Sequence, residues 1–310
     1  MSQLEKIPVS LSHPICQQEL RGCHPTFDHN PRMLYLLFSA YFFFVTVLYF
    51  LVSKNAKEIK MRYDDKCNDG DVINLSFDVT EELKGPVFFY YELNNFYQNH
   101  FRFRGSVDKS QFYGSYIENP TKCQPFVFSN VTNKTLAPCG LFPKYFFTDY
   151  YTLGNSDFTD VGISWKGEKD TLFQGLSDSY NTSERWMKGL TDFPGEVSNE
   201  HFIVWMRTSN KPQFKKLFAR NEKNVPVGKL NVTIKCQFPK QYFNGERYIS
   251  LVRPSRLGGN NKGIIYTNLA LFVFSIIGIL SFPSRKPCCE DKGMVDTDPL
   301  LNHPDGVLSV

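Results

Sequence analysis

The sequence predicts a membrane protein with two transmembrane α-helices. Between them it predicts a β-rich lumenal or extracellular domain, antiparallel and sandwich-like, with short helices and long loops. Three observations predict this. Two runs without a charged residue, Met33–Val52 and Gly263–Phe282, each have about the twenty residues that an α-helix needs to cross roughly 30 Å of hydrocarbon. All five N-glycosylation acceptors and four of the eight cysteines lie between those runs. Aromatic residues make up 15% of the chain, and period-two alternation recurs between the runs, which favours strands.

These observations divide the chain into a cytosolic tail (1–32), a first span (33–52), an ectodomain (53–262), a second span (263–282) and a second cytosolic tail (283–310). The first thirty residues are mostly polar, and no short apolar region precedes Met33. The first span therefore reads as an uncleaved signal-anchor. Two spans place both termini on one side. Charge alone gives no clean orientation: Arg32, Arg285 and Lys286 flank the spans on the tail side, but Lys54, Lys57, Lys60, Arg62, Arg253, Arg256 and Lys262 flank them on the loop side. That rule applies to loops below about 60 residues, so the sequons and cysteines decide, and the loop is lumenal. The net charge of +4 is carried by scattered basic residues and gives no footprint for nucleic acid.

In the first tail, His13, Cys16, Cys23 and His24 have ligand types for zinc but match no common finger spacing, so no metal is assigned. From Asp71 to Thr80, Ile73, Leu75, Phe77 and Val79 alternate with polar residues, which predicts a strand with one buried face. Lys229–Cys236 repeats the pattern through Leu230, Val232, Ile234 and Cys236. Val87–Leu93 reads as a strand that is apolar on both faces except at Glu92, and Phe202–Thr208 reads as another strand. Asn119–Tyr151 reads as loops and short strands, and Leu153–Gly195 as an irregular insertion. Pro212–Arg220 places Phe214, Leu217 and Phe218 at helical spacing after a proline, which predicts a short surface helix. In the second tail, Cys288 and Cys289 stand where reversible palmitoylation occurs. Asp296–Leu301 has the form of an acidic dileucine sorting signal.

The sequons are Asn74, Asn130, Asn133, Asn181 and Asn231. Asn74 and Asn231 fall on the polar faces of their strands, where a glycan is tolerated. Asn130 and Asn133 are close enough to compete. Cys123 and Cys139 bracket a loop rich in Pro and Asn and are the natural pair in an oxidising compartment. Closing such a loop contributes roughly 3 kcal/mol in the chain-entropy picture. Cys67 and Cys236 remain. A second bridge between them ties two strands expected nearest the spans, with a buried free thiol as the alternative for Cys236. No catalytic, nucleotide-binding or metalloprotease motif is present. His100 and His201 read as surface or structural histidines, so no catalytic, cofactor or metal site is assigned. In the second span Asn268, with Thr267, Ser275, Gly278 and Ser281, marks a small and polar face suited to packing on another protein.

Three segments carry a resemblance. They are Gly85–Gln111, with Asn95-Phe96-Tyr97-Gln98-Asn99-His100 at its core; Ala137-Pro138-Cys139-Gly140-Leu141; and Asn199–Arg220. Weaker echoes are Gly162–Trp165, Asn231–Thr233, Tyr242–Gly245 and Gly258–Asn260. In that order, the chain resembles the cell-cycle-control-protein-50 family, the non-catalytic beta subunits of phospholipid flippases (type IV P-type ATPases). The resemblance implies that Cys123–Cys139 is a family disulfide. It implies a β-rich ectodomain resting on the lumenal loops of a catalytic ATPase partner, with which it forms a heterodimer among membrane lipids. The implied role is that of a chaperone and accessory subunit, not an enzyme. It lets the ATPase fold, leave the endoplasmic reticulum and complete the cycle that moves aminophospholipids to the cytosolic leaflet in Golgi, endosome or plasma membrane. Candidate partner contacts are Phe96, Tyr97, Asn99, His100, Trp205, Arg207 and Asn268. For Trp205 the domain's own core is the favoured reading. The chain departs from the family in keeping only Cys67 of a cysteine cluster, in Phe101 where a basic residue follows the histidine, and in Arg256-Leu257 where Ser-Trp is usual. The alternative class is a two-span ligand-gated channel. A channel ectodomain usually carries more cysteines, and the second span has only a partial polar face.

Overall fold

The computed structural model describes residues 31–130, 132–154, 157–259 and 262–281. These residues form two compact units, one beginning at Leu51 and holding all the strands, the other holding two long helices. The tail features at His13–His24, Cys288–Cys289 and Asp296–Leu301 lie outside the described residues.

The helices are α1 (Pro31–Ser53) and, at the far end, the last helix (Lys262–Ser281). Both have the length and apolarity to cross a membrane. They pack antiparallel. Phe43 meets Phe272 at 5.6 Å between ring centroids. Arg32 Nε donates to the carbonyl of Ile279 at 3.5 Å. Ser39, Ser275 and Gly278 are buried, and a Cβ at Gly278 would come within 2.5 Å of the Tyr35 ring. The small face at Ser275 and Gly278, expected to receive another protein, is thus used by the chain's own first helix. Side chains on that face must be small for two backbones to approach.

Among the described residues between Leu51 and the last helix, seven strands form two antiparallel sheets. They are β1 (Lys57–Arg62), β2 (Val72–Val79), β3 (Val87–Asn94), β4 (Tyr150–Leu153), β5 (Phe214–Asn221), β6 (Gly228–Lys235) and β7 (Glu246–Arg253). One sheet has the order β1-β7-β3-β5 and the other β2-β6-β4. Successive strands therefore alternate between sheets, so each connection passes from one sheet to the other and no two consecutive strands pair with each other. Rings from both sheets fill the space between them. Phe77 of β2 meets Phe89 of β3 at 6.3 Å, and Tyr151 of β4 meets Phe89 at 5.5 Å and Phe218 of β5 at 4.9 Å. Such edge-on pairs add about 0.5–1.5 kcal/mol each beyond their buried area.

The alternation read from β2 and β6 matches their burial, and the two strands pair along their whole length. β3 is an inner strand, and it is apolar on both faces because every residue from Val87 to Asn94 is buried or half-buried. The exception, Glu92, is buried and accepts from Lys60 Nζ and Gln213 Nε2 at 2.6 Å each. Two expectations are corrected. Pro212–Arg220 holds no helix: Phe214–Asn221 is β5, paired with β3. Its helical spacing of apolar residues spans a bulge opposite Phe89 and Tyr90, which shifts the alternation by one residue. Phe202–Thr208 is no strand: Glu200–Met206 is a helix buried from His201 to Trp205. A continuous apolar run fits a buried helix and a buried strand equally. The cap decides here, because Asn199 Oδ1 accepts from the N–H of His201 and of Phe202.

Cys67 is bonded to Cys236 and Cys123 to Cys139. The first bridge extends the β2–β6 pair, with Cys236 N–H donating to Asp71 O at 2.8 Å. The strands next to the membrane helices in sequence are instead β1 and β7, which pair with each other, so the expectation that this bridge joins them is corrected. An ion pair lies inside the sandwich. Asp149 accepts from Arg247 Nη1 at 3.1 Å, Tyr63 Oη at 2.9 Å and the N–H groups of Gln237 and Phe238 at 2.9 Å each. Burial pushes the Asp149 carboxyl above its usual range, against the pull of Arg247.

Candidate functional site

The segment Asn95–His100 leaves β3 through Asn95, which adopts φ 71°, a left-handed conformation that asparagine tolerates. Its Nδ2 donates to the carbonyl of Asn244 at 3.1 Å. The neighbouring Gly245 is required there, because a Cβ would strike Asn94 O at 2.1 Å. From that anchor the side chains divide. Phe96 turns inward against Trp205 and Phe243, both at 5.4 Å. Gln98 is fully buried, donating to Trp205 O at 3.4 Å and accepting from Ser209 N–H at 3.1 Å. Tyr97 is 56% exposed. Asn99 is exposed, with Nδ2 donating to Asn210 O at 3.0 Å. His100 is exposed and stacks on Phe101 at 5.2 Å, opening the short helix α2 (Phe101–Gly105).

Tyr97 and Phe103 lie along a groove of 460 Å³ that also includes Leu141, Tyr145, Tyr242 and Asn244. Leu141 begins α3 (Leu141–Lys144), and α4 is Lys166–Thr171. Phe101 and Tyr242 are also large and exposed, at 71% and 51%. Aromatics in such numbers, rimmed by polar groups, are typical of protein-binding surfaces.

Beneath the groove stands α5 (Glu200–Met206). Trp205 is 0% exposed and its Nε1 donates to Phe142 O at 3.1 Å. It is therefore a core residue, and Trp205 and Phe96 are withdrawn as direct partner contacts. The ammonium of Lys216, on β5, reaches the last carbonyls of α5, those of Val204 and Trp205 at 3.2 Å each, and that of Arg207. A cation at a helix C-terminus is favoured by the negative end of the helix dipole. Burial, with a smaller push from Arg207, lowers the Lys216 pKa to about 7.

Arg207 is half-buried. It pairs with Glu168 of α4, its Nε donating to Oε2 at 3.0 Å, and its guanidinium stacks 4.6 Å from the Trp165 ring. Trp165 is 70% exposed, so the triad of Trp165, Arg207 and Glu168 forms a second aromatic and charged patch. Sequence reasoning missed Trp165 and Glu168 as surface elements, although the Gly162–Trp165 echo was the available signal. Asn268 Nδ2 donates to Ile264 O at 2.8 Å, one turn back in its own helix. His201 is buried against Phe218 at 4.3 Å, with Nε2 3.3 Å from Asp160 Oδ2, a structural placement. All five sequon asparagines are exposed. Among the described residues, no group of three or more His, Cys, Asp or Glu side chains is placed to hold a metal.

The sequence profile of the LEM3 (ligand-effect modulator 3) family / CDC50 family matches residues 36–284. ALA-interacting subunit 3 of Arabidopsis thaliana is 31% identical over 285 residues, covering 83% of this chain and 81% of that protein. Cell cycle control protein 50A of Bos taurus is 30% identical over 277 residues, covering 74% and 76%. Cell cycle control protein 50C of Mus musculus is 32% identical over 242 residues, covering 68% and 69%. The matched span runs through the Asn95–His100 segment, the buried hub beneath it, both disulfides and both long helices. On that extent of similarity, the chain belongs to the LEM3/CDC50 family.

Proposed function

We propose that the chain is the non-catalytic accessory subunit of a type IV P-type ATPase that moves aminophospholipids, such as phosphatidylserine, to the cytosolic leaflet. The observation that carries this reading is family membership over residues 36–284, a span that takes in both long helices and the whole β-domain. The name of the Arabidopsis relative, an interacting subunit, supports a role in assembly with another protein. In this reading both tails are cytosolic, residues 53–262 are lumenal or extracellular, and the complex resides in the secretory pathway or at the plasma membrane. Hydrolysis of ATP belongs to the partner. The chain contributes a rigid lumenal domain and two helices that let the ATPase fold, leave the endoplasmic reticulum and complete its phosphorylation cycle. The groove beside Tyr97, with Asn99 and His100, is the surface we assign to that partner, because its aromatic side chains stand exposed over a buried, hydrogen-bonded hub.

The test is recovery of the tagged chain in mild detergent, with bound proteins identified by mass. A multi-span P-type ATPase in near-equal amount supports the proposal. Recovery of the chain alone as a trimer that conducts ions contradicts it and favours a two-span channel.

A further inference from the structure

We propose that the sequons at Asn74 and Asn231, which face each other across β2 and β6, are modified unequally, because modification of Asn231 competes with closure of the β2-β6-β4 sheet. The inference rests on the reading of residues 53–262 as lumenal. It starts from register. β2 and β6 run antiparallel with Asn74 opposite Thr233 and Ser76 opposite Asn231. Each acceptor asparagine therefore faces the hydroxyl residue of the other sequon. Thr233 Oγ1 donates to Asn74 Oδ1 at 2.7 Å. Both asparagines are exposed, while Phe77, Leu230, Val232 and Ile234 are buried on the inner face. Diagonal neighbours in such a pair lie roughly 7–8 Å apart.

The finished sheet has room for sugar at Asn231. On one side it faces the small Ser76. On the other lies Gly154, whose N–H donates to Asn231 O at 2.8 Å. A Cβ on Gly154 would come to 3.4 Å from Asn231 Cβ, an ordinary contact, and the glycine leaves that position without a side chain.

The finished sheet does not, however, present the Asn231 sequon to a transferase. Glycan transfer forms a bond from Asn Nδ2 to a sugar C1. It breaks the C1–oxygen bond of a lipid-linked diphosphate donor, which leaves with the electron pair, and the amide proton passes to a base. The enzyme must hold the sequon backbone and the hydroxyl two residues on. In the sheet β6 is the inner strand, with β2 on one edge and β4 on the other, and the Thr233 hydroxyl is engaged by Asn74. Modification must therefore precede pairing.

The two sites have unequal time for it. Chains emerge from the N-terminus at about 5–20 residues per second. β2 ends at Val79 and its partner in the sheet, β6, begins at Gly228, so Asn74 stays unpaired for on the order of 10 s. Both partners of β6 precede it in sequence, so Asn231 can be sequestered as soon as it emerges. Cys236, five residues on, then locks the pair through Cys67.

The experiment expresses the full chain in secretory cells and reads occupancy site by site, by enzymatic deglycosylation in heavy-oxygen water and peptide mass. Asn74 should be near complete and Asn231 only partly occupied. Cys67→Ser, which leaves the lock open, should cut the unoccupied fraction at Asn231 at least twofold, leaving Asn74 unchanged. Cys123→Ser, which opens the other bridge, should leave Asn231 unchanged. Occupancy is written on the emerging chain, so a variant that fails to reach the native fold still reports. Full or absent occupancy at Asn231 in the unaltered chain, no response to Cys67→Ser, or an equal response to Cys123→Ser overturns the inference. If none of the five sequons carries sugar, it is the lumenal reading itself that fails.

Discussion

The hub around Trp205 and the surface around Tyr97 share one segment, Asn95–His100, and are opposite in character. Phe96, Gln98, Trp205 and Lys216 are buried and joined to one another by ring contacts and hydrogen bonds. Tyr97, Asn99 and His100 point outward from the same segment. One half fixes the chain and the other half is free to be read by a partner. A motif that looks uniform in sequence thus serves two purposes, and substitutions should separate them.

The largest effect is expected at Trp205. Trp205→Ala removes a buried ring that packs on Phe96, Phe142 and Phe147, and should cost about 3–5 kcal/mol. Thermal unfolding of the detergent-solubilised chain measures it, and a loss below about 1 kcal/mol would break the distinction. Gln98→Leu comes next. It leaves the Ser209 N–H without its acceptor and should cost about 1–3 kcal/mol.

Lys216 gives a smaller effect with a defined sign. Its pKa, about 7 in the folded chain, lies below that of an unfolded lysine, so the unfolded chain holds the proton more tightly. Stability should therefore rise from pH 7 to pH 9, because the cost of burying the charge is present at low pH and lost as pH increases. The slope cannot exceed about 1.4 kcal/mol per pH unit, and the three carbonyl acceptors oppose the shift and keep it lower. Lys216→Met should flatten the dependence, and unfolding midpoints at both pH values check it. The smallest effect on stability is expected at the surface. Tyr97→Ala should move stability by no more than about 0.5 kcal/mol, yet reduce recovery of the ATPase severalfold. Loss of stability without loss of recovery would place Tyr97 with the hub.

Much of the fold was legible where pattern and environment agree. β2 and β6 alternate because one face of each is buried, and β3 is apolar from Val87 to Leu93 except at Glu92 because side chains on both its faces are buried or half-buried. β5 and α5 were exchanged for physical reasons. The bulge opposite Phe89 and Tyr90 gives β5 a helical spacing of apolar side chains. The α5 residues 201–205 are buried all round, which leaves no periodicity to read, although the Asn199 cap was a usable signal. The assignment of strands to sheets was not legible, since alternation between sheets leaves no hairpin turns. Nor was the Asp149–Arg247 pair, whose members come from distant parts of the chain and meet only in the folded core. At the candidate surface the segment was legible, but which of its residues face outward was not. Tyr97 and Phe96 are both aromatic, and only the packing of Trp205 and Phe243 separates them.

On the proposed function, an ATPase depends on this chain to move lipid. The most direct measurement is uptake of fluorescent phosphatidylserine from the outer leaflet in cells lacking the chain. Uptake should be lost, restored by the unaltered chain, and not restored by Trp205→Ala. Uptake that is unchanged when the chain is absent would overturn that dependence.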